Sequence, residues 1–474
     1  MTTGNPSAAA AKAGLLDPRR AVPILLFLFV FSLVIDNGFK FMSLPISEDL
    51  NLPVTEVSLQ ATLAGLLIGI GAVVYAALAD MIPIRKLIVF AIILMSIGSI
   101  IGFAFQANFA MILVGRIIQT AGLAAAETLY VIYVTKHFKG DEQKKYLGFS
   151  TAAFQLSLLI GTVGSGFMAT YIGWQVFFLV TLIALLAIPV VLRTVPAEET
   201  GHGSLDVFGL FLIAVFATGV ILFMQNFTWW YLPVIVAALA LFVWHVKTHD
   251  NALITGAFFA NGQYTMMLIV VFVTYSVQLG YQFMFPFLMA DLYGYQLSEV
   301  SLLLVPGFIA AIIVGSATGK IARYLTSKQA ITTALVVIVV SMLVPALLVD
   351  KWVGTFVISM ILFGMGFALM YGPLISTAVM KVPAEQSGIA IGFYNLTINI
   401  AVPIGIAYTA KLMELKVSFL GGLSGTEAAS SYGSVLLILA LVGVGGLVLY
   451  RVFVVVLERQ GFPMNTAPEE EVVA

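Results

Sequence analysis

Apolar residues run through this chain in long blocks, each about as long as a bilayer crossing, separated by short polar breaks. A helix needs about 20 mostly apolar residues to cross a hydrocarbon core of roughly 30 Å. Windows of that length predict spans at 21–45, 57–79, 87–105, 109–134, 146–170, 174–192, 207–224 and 229–246. Six more follow at 265–289, 299–321, 329–348, 353–376, 388–411 and 431–456, fourteen in all. The first block is about twice the usual signal-peptide core and lacks a cleavage site, so it is read as a retained span. The fold class is therefore an all-α membrane protein.

The breaks are unequal. The segment 135–145 is a long basic connection after span four, 193–206 interrupts the pattern after six spans, and 247–262 interrupts it after eight. The division is a tail over 1–20, a six-helix half over 21–192, a linker with two extra helices over 193–262, a second six-helix half over 263–456 and an acidic tail over 457–474. Two six-span halves around a midplane site are the plan of many secondary transporters. The extra pair also has a plain reading, as helices packed at the periphery.

Composition narrows the class further. Hydrophobic residues make up 61% and charged residues 9% of the 474; a soluble domain carries about 25% charged residues. Lipid is therefore the main solvent. A net charge of −1 gives no nucleic-acid footprint. Cysteine is absent and the four histidines lie in connecting segments, so no disulfide, thiolate or histidine metal centre is expected, and no cofactor. No G-x-x-x-x-G-K-[ST] loop is present, which excludes transport driven by the chain's own ATP hydrolysis.

Lys and Arg set the orientation. One series of connections holds Arg19, Arg20, Arg85, Lys86, Lys136, Lys139, Lys144, Lys145, Arg193, Lys247, Lys320, Arg323, Lys328, Lys381, Arg451 and Arg459. The alternate series holds only Lys351, Lys411 and Lys416, among six acidic residues. Both termini lie with the basic series, so both are expected in the cytoplasm of a plasma or inner membrane.

Four ionisable residues interrupt the spans: Asp36, Lys40, Arg116 and Glu127. Each costs at least ~2.5 kcal/mol at a helix centre and needs a compensating role. Asp36 and Lys40 are one turn apart and can pair; either the pair is local, or Asp36 binds a proton or a cationic substrate while Lys40 holds it ionised. Glu127 follows Arg116 by about three turns, ~16 Å, on the same face but out of reach. Flanked by Ala124, Ala125 and Ala126, it is either hydrogen-bonded to a neighbouring span or a carboxylate tuned by desolvation to carry a proton. Arg116 keeps its proton and acts as charge partner or gate.

The second half carries neutral polar groups instead, Tyr275, Gln278, Gln282, Asn395, Thr397 and Asn399. They serve either helix-to-helix hydrogen bonds or a substrate cavity, in which Gln155 and Tyr130 of the first half are also placed. Many of the 42 glycines fall within spans, as at Gly161, Gly164 and Gly166, where they permit close helix packing or sliding surfaces.

Several stretches resemble the major facilitator superfamily. Ala76-Ala-Leu-Ala-Asp80-Met-Ile-Pro-Ile-Arg85-Lys86 is similar to its G-x-L-a-D-R-x-G-r-[RK] loop, with Ala76, Met81 and Pro83 departing from it. The resemblance gives Asp80, Arg85 and Lys86 the part of a conformational latch. Arg116-Ile-Ile-Gln119-Thr-Ala-Gly122 resembles R-x-x-Q-G-x-G, whose arginine is tied to proton coupling, with Thr120 for a glycine. Ile35-Asp36 through Leu44-Pro45 resembles L-D-x-T-V-x-N-V-A-L-P of the fourteen-span drug:proton antiporters, the branch of the Gram-positive tetracycline and multidrug exporters. Gly173-Trp174-Gln-Val-Phe177 is similar to the G-W-R-x-x-F opening of span six. Gly161-Thr162-Val-Gly164-Ser165-Gly166 aligns with G-P-x-x-G-G without its proline.

The expectation is a non-enzymatic, proton-coupled exporter of a small cationic or amphipathic compound, a drug-efflux function giving antibiotic resistance by antiport. It is expected to work as a monomer whose partners are substrate, protons and the lipid bilayer. Alternatives are an exporter of a diamine or basic amino acid, a proton symporter, a lipid flippase or a non-transporting sensor.

Overall fold

The computed structural model describes residues 17–196, 206–249, 261–321, 323–382, 387–421 and 424–459. Most of both expected tails, and the centres of the two breaks around the extra pair, lie outside these residues. Among the described residues, fourteen helices are long and apolar enough to cross a membrane.

The first span is α1 (Val22–Phe41), entered through a short 3-10 turn at Pro18–Arg20. The reading of one span to residue 45 is corrected here. The helix breaks at Met42, and a separate short helix, α2 (Ser43–Leu50), follows. Pro45 sits in its first turn, where an amide N–H would have no carbonyl behind it and its loss costs little. Helices α3 (Val54–Met81), α4 (Ile84–Ala104), α5 (Phe109–His137) and α6 (Gly140–Tyr171) follow. The long connection expected over 135–145 is instead two residues, Phe138 and Lys139, with Lys136, Lys144 and Lys145 on the flanking helices. Span six begins as α7 (Val176–Thr181), tightens to a 3-10 stretch over Leu182–Ala187 and resumes as α8 (Ile188–Thr194). Pro189 removes one N–H from the ladder there, and the local tightening accommodates it.

The extra pair is α9 (Val207–Asn226) and α10 (Tyr231–Thr248). The last six spans are α11 (Gly262–Tyr293), α12 (Leu297–Ile321), α13 (Ser327–Leu347), α14 (Gly354–Val379), α15 (Ser387–Glu414) and α16 (Glu427–Arg459).

The chain divides into two compact units. One comprises Met1–Lys40 and Leu67–Leu205, the other Phe41–Leu66 and Asp206–Ala474. In the first, α4 and α5 meet backbone to backbone. A Cβ at Gly98 would lie 2.2 Å from the Gln119 amide nitrogen, and one at Gly122 2.5 Å from the Ala91 carbonyl oxygen. Only glycine allows such an approach, and the gain is dispersion and packing where water supplies no driving force. Gly161 of α6 does the same against Val34 of α1, at 2.8 Å from its carbonyl oxygen.

In the second unit α11 and α15 are the closest pair, with Gly405 pressed on the Ser276 carbonyl. The extra hairpin belongs to this unit, where α9 packs along α15. It is pinned by the Gln225 amide, which donates to Ser58 Oγ at 2.8 Å. At the other end of the hairpin, His245 Nε2 lies 2.8 Å from Asp206 Oδ1, and the same oxygen accepts from the Gly209 N–H and caps α9. α10 leaves much of its surface open, including Trp229 and Trp230 at its start, the side chains suited to a membrane–water boundary.

Candidate functional site

The charged residues of the first unit converge. Asp36 and Arg116 are 2% and 1% exposed, so each is a charge removed from solvent that requires partners close by. Asp36 Oδ2 accepts from Lys40 Nζ one turn away on α1. Its other oxygen, Oδ1, faces Arg116 Nη2 on α5 at 3.5 Å. Two cations therefore share one carboxylate.

Gln119, three residues beyond Arg116, completes the arrangement. Its Oε1 accepts from Arg116 Nη1 at 2.5 Å, and its Nε2 donates to Ser99 Oγ at 2.8 Å and Thr181 Oγ1 at 3.0 Å. Every hydrogen of that amide is used, so its orientation is fixed by α4 and α7. The guanidinium also lies over the Phe39 ring at 4.3 Å, a cation–π contact in a dry setting. Phe39 is held by Phe177 and Phe178, with ring centres 5.1 and 4.5 Å away. Arg116 Nε keeps no hydrogen-bond partner among the described residues. A guanidinium with an unused donor and a long contact to its carboxylate is placed to exchange partners when the local charge changes.

Glu127 stands apart from this cluster, as its spacing from Arg116 requires. Its Oε1 is enclosed and has no hydrogen-bond partner among the described residues. Asp36 and Lys40 lie within electrostatic reach. Of the two readings open for this residue, the bonded glutamate finds no support at that oxygen. An enclosed carboxylate oxygen without a donor is costly when ionised and cheap when protonated. Outside the spans, the carboxyl of Glu48 on α2 is pushed above its ordinary value, first by burial and then by the charge of Asp291.

The latch residues arrange differently from the loop pattern. Asp80 Oδ1 pairs with Lys136 Nζ of α5 at 2.8 Å, and the same ammonium donates to the Ala79 carbonyl at 2.7 Å. Arg85 and Lys86 start α4, and neither is paired with Asp80 among the described residues. Sequence reasoning counted Lys136 only toward orientation. Its place in the last turn of α5, where cations complement the carbonyl end of a helix, was the available signal.

The cavity residues separate. Tyr130 is buried, packs tilted against the Phe29 ring with centres 5.4 Å apart and donates its hydroxyl to the Tyr146 carbonyl at 2.8 Å. It ties α5 to α6, as a buried phenol that satisfies its O–H. Gln155 is half-buried on α6. In the second unit, Gln278 and Gln282 are half-buried one turn apart on α11, as are Asn395 and Asn399 on α15. Asn399 Nδ2 donates to the Asn395 carbonyl at 3.0 Å. Tyr275 is buried, edge-on to Phe367 at 5.4 Å, with Tyr371 and Tyr394 within electrostatic reach and the Tyr394 hydroxyl making no hydrogen bond among the described residues. The Tyr371–Tyr394 pair was missed, since tyrosine in an apolar span gives no signal of convergence. Among the glycines, Gly122 and Gly161 meet neighbouring backbone and Gly166 is buried, whereas a Cβ at Gly164 would meet open space.

A family model described as Major Facilitator Superfamily matches residues 25–406. A riboflavin transporter, RibZ of Clostridioides difficile, is 20% identical over 407 residues, covering 84% of this chain and 89% of that protein. The multidrug efflux pump SdrM of Staphylococcus aureus is 24% identical over 443 residues, covering 91% and 96%. The multidrug resistance protein Stp of Mycobacterium tuberculosis is 23% identical, covering 77% and 70%. Among solved structures, the peptide transporter POT in complex with sulfate superimposes with a TM-score of 0.69 at 14% identity, covering 93% of this chain and 95% of that one. A POT family transporter in complex with 5-aminolevulinic acid gives 0.68 at 14% identity, covering 93% and 96%. At such identities the structural likeness speaks for the fold.

Proposed function

Because the chain belongs to the major facilitator superfamily, and is thus a multi-pass membrane transporter and not an enzyme, we propose that it exports a small cationic or amphipathic compound in exchange for protons. The observation that carries this reading is the pair of acids set within the spans of one compact unit. Asp36 is held between Lys40 and Arg116, and Glu127 keeps an enclosed oxygen without a donor. Such a pair has one member set to remain charged and one set to take up a proton, the division that coupling requires.

In this reading protonated Glu127 is neutral and tolerated in the membrane. Its ionised form must find a cation, either the substrate or one of the two bases beside Asp36. Proton and cationic substrate then compete for the same negative charge, and alternating access turns that competition into exchange. Each elementary charge moved inward supplies ~2.3 kcal/mol per 100 mV. Asp80 and Lys136 form the latch of one conformation. Orientation follows the lysines and arginines, with the basic connections and both termini in the cytoplasm and the chain in the plasma membrane. The multidrug efflux relatives favour a drug-like cargo.

A second reading keeps the fold and changes the cargo. The riboflavin transporter covers 84% of this chain, and the half-buried amides of α11 and α15 would suit a neutral ring compound.

Proteoliposomes enclosing a pH-sensitive dye test both readings, with a panel of cationic drugs, a diamine, a basic amino acid and riboflavin. The parent protein is expected to move protons when a cationic compound is added, and Glu127→Gln and Asp36→Asn to reduce that flux at least tenfold. Full flux in both variants would refute the coupling assignment. Proton-independent riboflavin movement would favour the second reading.

A further inference from the structure

At the basic end of the second unit, a cleft of about 530 Å³ opens at the start of α13 beside α16. It is lined by Thr326, Lys328, Gln329, Thr332, Thr333 and Arg451. It takes no part in the ion cluster or in the expected cavity. We propose that this cleft binds the headgroup of one anionic phospholipid from the adjoining leaflet.

Charge is the first reason. Lys328 and Arg451 bring two cations to one opening. Among the described residues the acid paired with them is Glu458, whose Oε1 lies 2.6 Å from Lys328 Nζ. That bond uses one of the three ammonium hydrogens and positions the group at the cleft. Arg451 is exposed and forms no ion pair among the described residues, so its planar set of donors is available to a phosphate.

The cleft also presents donors of the backbone type. Thr326 caps α13 in a closed box with Gln329, each side chain bonded to the other's main-chain N–H. The amides of Ser327 and Lys328 have no carbonyl a turn behind them and point out of the helix start. Independently of the helix end, Thr332 Oγ1 lines the cleft with its oxygen enclosed and no hydrogen-bond partner among the described residues. A hydroxyl left in that state completes its bonding when an acceptor arrives.

The surface leading away from the opening argues for a lipid over a free ion. Val336 and Val340 repeat at one-turn intervals from Thr332 along α13 and are exposed. Val448 and Val444 run in the same way from Arg451 along α16, also exposed. The two helices pack together, with Val339 against Gly443. Two apolar tracks thus descend from a cationic mouth, which suits a molecule with a phosphate head and acyl tails. Basic pockets between spans on the cytoplasmic side have this chemistry.

Native mass spectrometry of the full-length protein reads the binding without any transport step, so it stands or falls separately from proton coupling. The protein is titrated in detergent with phosphatidylglycerol and with phosphatidylcholine of the same chains. One phosphatidylglycerol should be held at least tenfold more tightly than phosphatidylcholine. That preference should disappear in Lys328→Gln/Arg451→Gln and persist in Arg459→Gln, which removes an exposed base outside the cleft. Should the double variant fail to fold, Arg451→Gln alone carries the test, with binding about fivefold weaker for one charge removed. Equal affinity for the two lipids, or unchanged binding in the Arg451 variant, overturns the proposal. Displacement of the lipid by millimolar inorganic phosphate also overturns it, by assigning the cleft to a free anion.

Discussion

Gln119 shows how much of the ion cluster depends on an uncharged side chain. Its amide joins Arg116 on its own helix to Ser99 on α4 and Thr181 on α7. Gln119→Leu keeps the volume and removes all three bonds, leaving the Arg116 Nη1 donor without that acceptor. An orphaned buried group costs about 1–3 kcal/mol, more when charged. A markedly lower unfolding temperature of the purified protein is expected, together with a loss of transport beyond that of Thr181→Val, which breaks one bond only. Equal effects of the two variants would show that Gln119 does not set the Arg116 position. Legibility at this scale follows distance along the chain. Asp36 and Lys40 are one turn apart, so their pairing is visible in sequence. Arg116 reaches Asp36 across 80 positions, and no spacing rule connects them. Ser99 and Thr181 are ordinary hydroxyl residues in apolar spans until the fold brings them to the amide.

Between elements, glycine decides how closely spans approach, and its effect depends on which face it occupies. Gly98→Ala should be strongly destabilising, since the new methyl would lie 2.2 Å from a backbone nitrogen of α5 that cannot yield without moving the helix. Overpacking of this sort costs about 1–3 kcal/mol. Gly164→Ala should have the opposite sign. Nothing lies within 4 Å of its added carbon, and alanine in a helix interior gains about 0.5–1 kcal/mol over glycine. Thermal unfolding in detergent measures both, and a stabilised Gly98→Ala protein would contradict the close packing of α4 on α5. The glycine motif of span five showed where small residues cluster but not which of them faces a neighbour, because that depends on helix rotation about its axis. Hydropathy windows have a similar blind spot. They located fourteen apolar cores, yet one ran through the break at Met42 into the start of α2, and they missed the polar helical turns that shorten the connection between α5 and α6 to two residues.

For the whole molecule the most legible property is the sidedness of charge, because it sums over the chain and needs no knowledge of contacts. Sixteen named bases against three on alternate connections give an orientation even though ion-pair partners such as Asp80 for Lys136 or Glu458 for Lys328 are invisible in sequence. The same summation makes orientation testable without perturbing the site. The chain contains no cysteine, so a single introduced thiol is the sole target for a membrane-impermeant maleimide. Tyr324 and Trp352 flank α13 and are 86% and 63% exposed, which makes both suitable for labelling. If the basic connections face the cytoplasm, Trp352→Cys is labelled on intact cells and Tyr324→Cys only after the membrane is opened. The reverse pattern would invert the molecule, placing the latch and the phospholipid cleft outside. Labelling of both on intact cells would mean that α13 does not span the bilayer. That outcome would break the alternation on which the position of every later connection depends.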